Sequence, residues 1–513
     1  MRFNGFLFVV GLVVIAFGAA AEDPVNVVIL YADEYRADCI GVAGNETIQT
    51  PNLDALAGDG VLYRNSYCVW PVCTPSRLSL MTGQYVKQHG GRSNRSTLLP
   101  GTPTYATILR EAGYETTAVG KMHFTPAYQD VGFDMMLLAE QNGRGRNVDD
   151  YHRDLKEAGI LNSLDLIDQE RRYRKDAAQS YWDSFGAHVS DVPDEHHITT
   201  WTGDRAVETV SKWTSNQGNL LMVGFLKPHH PFDPPSPWHE RYDPETTPIL
   251  PGWTEDVPKQ DIQRARGYFD NTSLTPAALK RVTAYYYATI THIDHHIGRI
   301  VRELKSKGLY DNTLIIFTAD HGEYMGFHHM LLKGNHMYDP LVKVPLIIKY
   351  PKQRHAGVMT DELVNTLDVT STVLSETGQK ETVDMRGDAL GGTTPGRILP
   401  RKVVIAEDRS GLMATDGHYK LLLNRDDSKS LFFDLDYDPY ELVNRIYDGN
   451  YAIRIFDLRE AVLAWQLNET DRAVYVDTSV PLAGGDNIPT DLERTEREQL
   501  EYFDEKVKAV LKK

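Results

Sequence analysis

Val25-Asn26-Val27-Val28-Ile29-Leu30-Tyr31 runs without a break into Ala32-Asp33-Glu34. Seven residues with almost no polar member are too short for a helix core, and their β-branched content favours a strand covered on both faces. The same layout returns three times. Leu314-Ile315-Ile316-Phe317-Thr318 leads to Ala319-Asp320-His321-Gly322, and Leu220-Leu221-Met222-Val223-Gly224-Phe225 leads to Lys227-Pro228-His229-His230-Pro231. Glu115-Thr116-Thr117-Ala118-Val119 leads to Gly120-Lys121-Met122-His123. Helical patterns alternate with these runs: Tyr105 to Ala112, stopping near Gly113, and a long one from Pro276 to Lys307, stopping at Gly308. Strand and helix in alternation predict an α/β domain, a large doubly wound, mostly parallel sheet flanked by helices. In such sheets ligands gather beyond the carboxyl ends of the strands, where all four runs place titratable side chains.

The 513 residues are enough for more than one domain, and the composition is that of an ordinary globular protein. Arg2, the apolar run Phe6 to Gly18 and the small residues Ala19-Ala20-Ala21 predict an export signal over 1–21. The mature protein is therefore expected to be periplasmic or secreted, with no membrane partner. A net charge of −17 argues against nucleic acid. An anionic small substrate stays open, because local cations decide its binding. Three cysteines, Cys39, Cys68 and Cys73, cannot build a disulfide-dense scaffold, though Cys39 and Cys68 remain candidates for one bridge. Asn45, Asn94, Asn271 and Asn468 match the short glycosylation pattern.

Asp33 and Asp320 end two strands that can be neighbours in one sheet. Two carboxylates brought together repel, and one pKa must rise unless a cation intervenes. Oxygen ligands favour Ca2+ or Mg2+, while the adjacent His321 leaves Mn2+ or Zn2+ open. Cys73 precedes a predicted helix, Ser76 to Met81, with Thr74 as its cap, Pro75 in its first turn and Gly83 as its stop. A residue there faces unpaired amides at the positive end of the helix, where a sulfate or phosphate settles.

The segment Cys73-Thr74-Pro75-Ser76-Arg77 resembles the site at which sulfatases convert cysteine to formylglycine, an aldehyde that hydrates to a diol. Further pieces match that family in order, from Asn26 to about Leu374. They are Asp33-Glu34-Tyr35-Arg36, Thr50-Pro51-Asn52-Leu53-Asp54, Gly120-Lys121-Met122-His123, Lys227-Pro228-His229-His230-Pro231, Asp320-His321-Gly322-Glu323 and Lys333. The resemblance implies an alkaline-phosphatase-like fold and a sulfuric ester hydrolase acting on a sulfated substrate, a carbohydrate by class. It implies a maturation enzyme that makes the formylglycine, and Ca2+ held by Asp33, Asp320, His321, modified Cys73 and, through a longer side chain than many members carry, Glu34. Mg2+ and Mn2+ are second choices. By the same resemblance one diol hydroxyl attacks sulfur, the metal and Arg77 favour its deprotonated form, and Lys121 and Lys333 neutralise sulfate oxygens. His229 protonates the departing alcohol, because an imidazole titrates near neutral pH, and His123 helps the second hydroxyl expel sulfate.

Two other functions stay open on sequence. One is a phosphonate monoester or phosphodiester hydrolase of the same superfamily; the other is a non-catalytic anion binder in which Cys73 remains a thiol. Trp238 and His239 suit packing better than a sugar subsite. Asp361 to Thr377 predicts one more helix of a catalytic domain spanning 22–385. Residues 386–513 predict a smaller α+β subdomain: short strands at Val403 to Glu407, Leu412 to Thr415 and Tyr419 to Leu423, an antiparallel sheet, and a closing helix from Glu493 to Lys512. The polar stretch Gln141 to Asp194 is expected to decorate the active-site face.

Overall fold

A computed structural model describes residues 23–141, 146–262, 269–334, 336–391, 401–468 and 482–512. The predicted export signal lies outside them. So do part of the connection between the two sheets and the Glu469-Thr470 end of one glycosylation match.

Eight strands form the main sheet: β1 Asn26–Asp33, β2 Val61–Tyr67, β3 Glu115–Gly120, β4 Met135–Leu138, β5 Asn219–Pro228, β6 Thr313–Ala319, β7 Leu346–Lys349 and β8 Val358–Asn365. Their order is β4-β3-β5-β1-β6-β7-β2-β8. Only β7 runs against its neighbours, so the sheet is mixed and mostly parallel, as expected. The four strands singled out by sequence, β3, β5, β1 and β6, are consecutive and parallel, so their carboxyl ends share one edge.

Alternation along each central strand explains the unbroken apolar runs. Val28, Leu30 and Ala32 of β1 enter one core with Ile315 and Phe317 of β6 and with Leu279, Ile290 and Ile297 of the long helix Pro276–Ser306. Val27, Ile29 and Tyr31 enter the opposite core with Leu78 and Met81 of helix Cys73–Thr82 and Val369 of helix Leu367–Glu376. Both faces are covered, which removes the polar alternation of a one-sided sheet. The long helix begins at Thr275, whose hydroxyl accepts the Ala278 amide, with Pro276 in the first turn.

The C-terminal sheet is antiparallel, in the order β12-β11-β10-β9, from β9 Val404–Glu407, β10 Gly411–Thr415, β11 Tyr419–Asn424 and β12 Leu431–Asp434. Helix Ala452–Asn468 covers it through Leu458, Val462 and Trp465. Among the described residues no helix is long and apolar enough to cross a membrane.

Several local expectations need correction. Asp361 to Thr377 is not one helix: its first part completes β8, paired in parallel with β2, and helix Leu367–Glu376 follows. The closing helix, Leu492–Leu511, leaves the small sheet and returns to the main body, where Phe503 and Val507 join the main core. Cys39 and Cys68 are both buried free thiols, not a bridge. Trp238 stacks on His292 with ring centroids 4.6 Å apart and donates to Asp194, so it packs, as expected.

Candidate active site

Helix Cys73–Thr82 starts one residue ahead of the expected cap. Val72 is its N-cap, Cys73 is its first residue, and the Thr74 hydroxyl donates instead to the His123 carbonyl at 2.9 Å. The Thr74 amide, an orphan of the first turn, is taken by the carboxamide oxygen of Asn94 at 3.1 Å. Asn94, read from sequence only as a glycosylation match, is therefore part of the site wall. Gly83 ends the helix with φ 63°, as expected.

Around Cys73 the strand ends supply one compact cluster. One donor atom from each of Asp33, Cys73, Asp320 and His321 lies within 4.8 Å of the others, and all four residues are buried. Cys73 Sγ sits 3.7 Å from Asp33 Oδ1, 3.3 Å from His321 Nε2 and 3.3 Å from Lys333 Nζ. His321 Nδ1 donates to the Gly322 carbonyl at 2.9 Å, so Nε2 faces the cluster. Glu34 stands apart from these four and groups with His229 and His230. Its carboxylate lies 3.3 Å from Lys333 Nζ and 3.3 Å from His229 Nε2. Glu34 has φ 61°, a left-handed conformation fixed by the Tyr286 hydroxyl, which donates to its carbonyl and accepts the Arg36 amide.

Arg77 is fully buried and joins the two strand-end carboxylates. Its Nη2 reaches Asp33 at 3.0 Å, its Nε reaches Asp320 at 3.0 Å, and its Nη1 donates to the Lys121 carbonyl at 2.7 Å. It serves first as a strut between metal-ligand candidates. Lys121 Nζ adds a second cation 2.6 Å from Asp33. Gly120 and Gly224 bring β3 and β5 close enough for this. A Cβ on Gly224 would lie 2.0 Å from the Lys121 carbonyl oxygen, so neither position accepts a side chain. His123, at φ 58°, has a buried ring with neither nitrogen hydrogen-bonded, and its amide donates to the Glu140 carboxylate at 2.8 Å. Glu140 also takes the Met122 amide, and no sequence motif marked it.

Charge within the cluster is divided unequally, as two adjacent carboxylates require. Burial and the neighbouring Asp33 push Asp320 up to about 6. Burial also works against Asp33, but Lys121 and Arg77 hold it well below the usual carboxylate range. Burial raises Glu34 to about 7. For Cys73, burial and Asp33 oppose ionisation, yet Lys333, Lys121 and His321 prevail and the thiol pKa falls well below 9. His229 corrects an expectation. Burial, Lys333 and His230 drive its pKa well below 6.5, so the resting ring is neutral instead of titrating near pH 7. Its Nδ1 proton is held by the His230 carbonyl at 2.7 Å, leaving Nε2 facing the cluster.

Residues 25–379 match the Sulfatase family. An arylsulfatase of Clostridium perfringens is 30% identical over 467 residues, covering 85% of this chain and 93% of its own. An N-acetylglucosamine-6-O-sulfatase of Bacteroides thetaiotaomicron is 24% identical over 85% of this chain and 83% of its own. Among solved structures, the phosphonate monoester hydrolase of Agrobacterium radiobacter superposes with a TM-score of 0.71 at 23% identity, covering 90% of this chain and all of that one. This last likeness speaks to the fold.

Proposed function

The chain belongs to the sulfatase family and is a sulfuric ester hydrolase, and on that premise we propose that it removes sulfate from a sulfated carbohydrate, using Cys73 matured to formylglycine beside a divalent metal. The observation that carries the reading is the meeting of Asp33, Asp320, His321 and Cys73 within 4.8 Å at the rim of four parallel strands. Two carboxylates, an oriented imidazole nitrogen and the oxygen of a matured residue 73 suit a hard divalent ion such as Ca2+. Asp33, Asp320, His321 and residue 73 are the assigned ligands, with Glu34 poised beside them. A bound ion supplies positive charge where the sulfate oxygens and the nucleophile gather. Matured residue 73 supplies a hydrated aldehyde, with one hydroxyl to attack sulfur and a second through which sulfate is later expelled.

The remaining side chains bind, orient and move protons. Lys121 and Lys333 flank residue 73 as fixed cations for the sulfate oxygens. Arg77 keeps both carboxylates at their stations, a positioning role. His229 is the assigned acid for the departing alcohol. Its neutral resting state requires that binding of an anionic ester restore the proton, since a nearby negative charge favours the imidazolium. His123, in the loop after β3, is the assigned partner of the second hydroxyl. A carbohydrate substrate is favoured by the relative named for N-acetylglucosamine 6-O-sulfate. Export, through the 1–21 signal, and a division at residue 386 between catalytic part and small subdomain belong to the same proposal.

The phosphonate hydrolase likeness gives the alternative chemistry a place in the test. Inorganic sulfate release is measured from a set of sulfated monosaccharides, beside phosphate release from 4-nitrophenyl phosphate and phenylphosphonate esters. The account expects the sulfated sugars to give the higher kcat/KM. A preference for phosphorus substrates would overturn it.

A further inference from the structure

Before maturation residue 73 is a thiol, and the cluster around it then has a different donor set. Cys73 brings sulfur, His321 a ring nitrogen, and Asp33 and Asp320 carboxylate oxygen. Each carboxylate has only one oxygen to offer. Asp33 Oδ2 is held by Arg77 Nη2 at 3.0 Å and Lys121 Nζ at 2.6 Å, and Asp320 Oδ2 by Arg77 Nε at 3.0 Å. Asp33 Oδ1 is left facing Cys73 Sγ at 3.7 Å. Asp320 Oδ1, which also accepts the Glu34 and His321 amides, lies 3.7 Å from His321 Nε2. That nitrogen in turn lies 3.3 Å from the sulfur.

These separations and atom types discriminate between ions. Zinc bonds of about 2.3 Å to sulfur and about 2.0–2.2 Å to nitrogen and oxygen, at tetrahedral angles, set neighbouring donors about 3.4–3.6 Å apart. The contacts of 3.3, 3.7 and 3.7 Å fall within about 0.3 Å of that spacing. Calcium takes about six to eight oxygens, and the thiol form offers far fewer, because the bound cations block bidentate carboxylates. A thiolate also selects the softer ion. Lys333 Nζ, 3.3 Å from the sulfur, is no obstacle. It lies 3.3 Å from Glu34 as well, and its side chain is 16% exposed, which leaves it a partner and the ion a way in.

We propose that the unmatured protein binds zinc at this cluster, through Cys73, His321, Asp33 and Asp320, and that maturation switches the site's preference from zinc to calcium. As zinc binds, a Zn–S bond forms and the thiol proton passes to solvent, with no change of oxidation state. Maturation then exchanges the soft sulfur for hydroxyl oxygen. The zinc half of this inference needs only the thiol; the calcium half rests on the sulfatase reading above. Incompletely matured protein accordingly carries zinc in its unmatured fraction, in a form that leaves sulfate esters intact.

The probe is Co2+, whose spectrum reports its ligands, added to reduced, metal-free protein made without the maturation enzyme. The thiol form should show a sulfur-to-cobalt charge-transfer band in the near ultraviolet and the strong visible absorption of a tetrahedral ion. Zn2+ in equal amount should remove both, whereas a Ca2+ excess of about a hundredfold should leave them. Cys73→Ser should lack the band and bind Zn2+ weaker by about a hundredfold or more, beyond what loss of a supporting contact costs. Cys39 and Cys68 remain in that variant and serve as the control for other thiols. Circular dichroism checks its fold; should it not fold, the matured parent, which lacks the sulfur without any substitution, takes its place. A band that persists in Cys73→Ser, no band in the thiol parent, or Zn2+ displaced by equimolar Ca2+ would overturn the zinc site. Zn2+ affinities of the thiol and matured forms within about threefold would overturn the switch. Sulfate release by the matured, Ca2+-loaded protein is scored separately. Turnover there with no band in the thiol form loses the zinc site and keeps the hydrolase; the band without turnover does the reverse.

Discussion

Lys420 offers a measurable joint between the two sheets. It lies on β11, is fully buried, and its ammonium contacts Glu441 Oε1 at 2.8 Å and the carboxylate of Asp339. Glu441 is fully buried as well and, through Oε2, accepts the Asp339 amide at 2.7 Å. Lys420→Met keeps the aliphatic stem and removes the charge. Asp339 is partly compensated, since Lys343 stays 3.1 Å away. Among the described residues Glu441 keeps no cation in contact. Removing one partner of a buried pair costs about 3–5 kcal/mol. The cost depends on pH. Burial already raises Glu441 to about 7, above its unfolded value of 4.5, so its contribution to stability is full below pH 4.5 and is lost as pH rises through 7. Without Lys420 that pKa climbs further, and each added unit costs about 1.4 kcal/mol above it. The penalty should therefore approach the upper end at pH 8 and shrink at pH 5, where a protonated Glu441 still accepts the Asp339 amide. Chemical denaturation of parent and variant at both pH values measures this. A penalty below about 1 kcal/mol at pH 8, or one that does not shrink at pH 5, would refute the reasoning.

Three further outcomes are expected. Gly224→Ala places a methyl 2.0 Å from the Lys121 carbonyl, so it should cost at least about 1–3 kcal/mol and lower kcat through displaced Lys121, read by denaturation and by sulfate release. Ca2+ at a hundred times its Kd should stabilise the protein by about 2.7 kcal/mol, seen as a raised Tm that EDTA reverses, and Asp320→Asn should abolish that gain. His229→Ala should slow sulfate release from a sugar sulfate by about 10²–10⁴-fold but affect 4-nitrophenyl sulfate much less, because nitrophenolate leaves without a proton; equal losses on both would exclude the acid role.

The central fold was legible because both faces of β1, β5 and β6 are covered, so burial wrote itself into the sequence as unbroken apolar runs. The site was legible for a related reason: parallel strands send Asp33, Lys121, His229 and Asp320 to one edge. What was missed lacks such a signature. β2, reading Val-Leu-Tyr-Arg-Asn-Ser-Tyr, and β8, reading Val-Met-Thr-Asp-Glu-Leu-Val-Asn, lie at the sheet's far side, partly exposed, and carry polar residues that resemble helix or loop. Asn94 and Glu140 act through side-chain contacts to backbone amides 17 to 20 residues away, which no local spacing announces. The neutral state of His229 follows from desolvation and from Lys333, a residue distant in sequence. The last helix misleads because an amphipathic face says that it packs, not against which sheet.

Peptide mass spectrometry of the segment holding residue 73, on protein from a host able to mature it, tests the central claim most directly. The account predicts that the CH2SH group of Cys73 is replaced by an aldehyde in the molecules that release sulfate, and that Cys73→Ser, which cannot become that aldehyde by the same route, folds but does not turn over. Full sulfate release from protein whose residue 73 is still an intact thiol would contradict it.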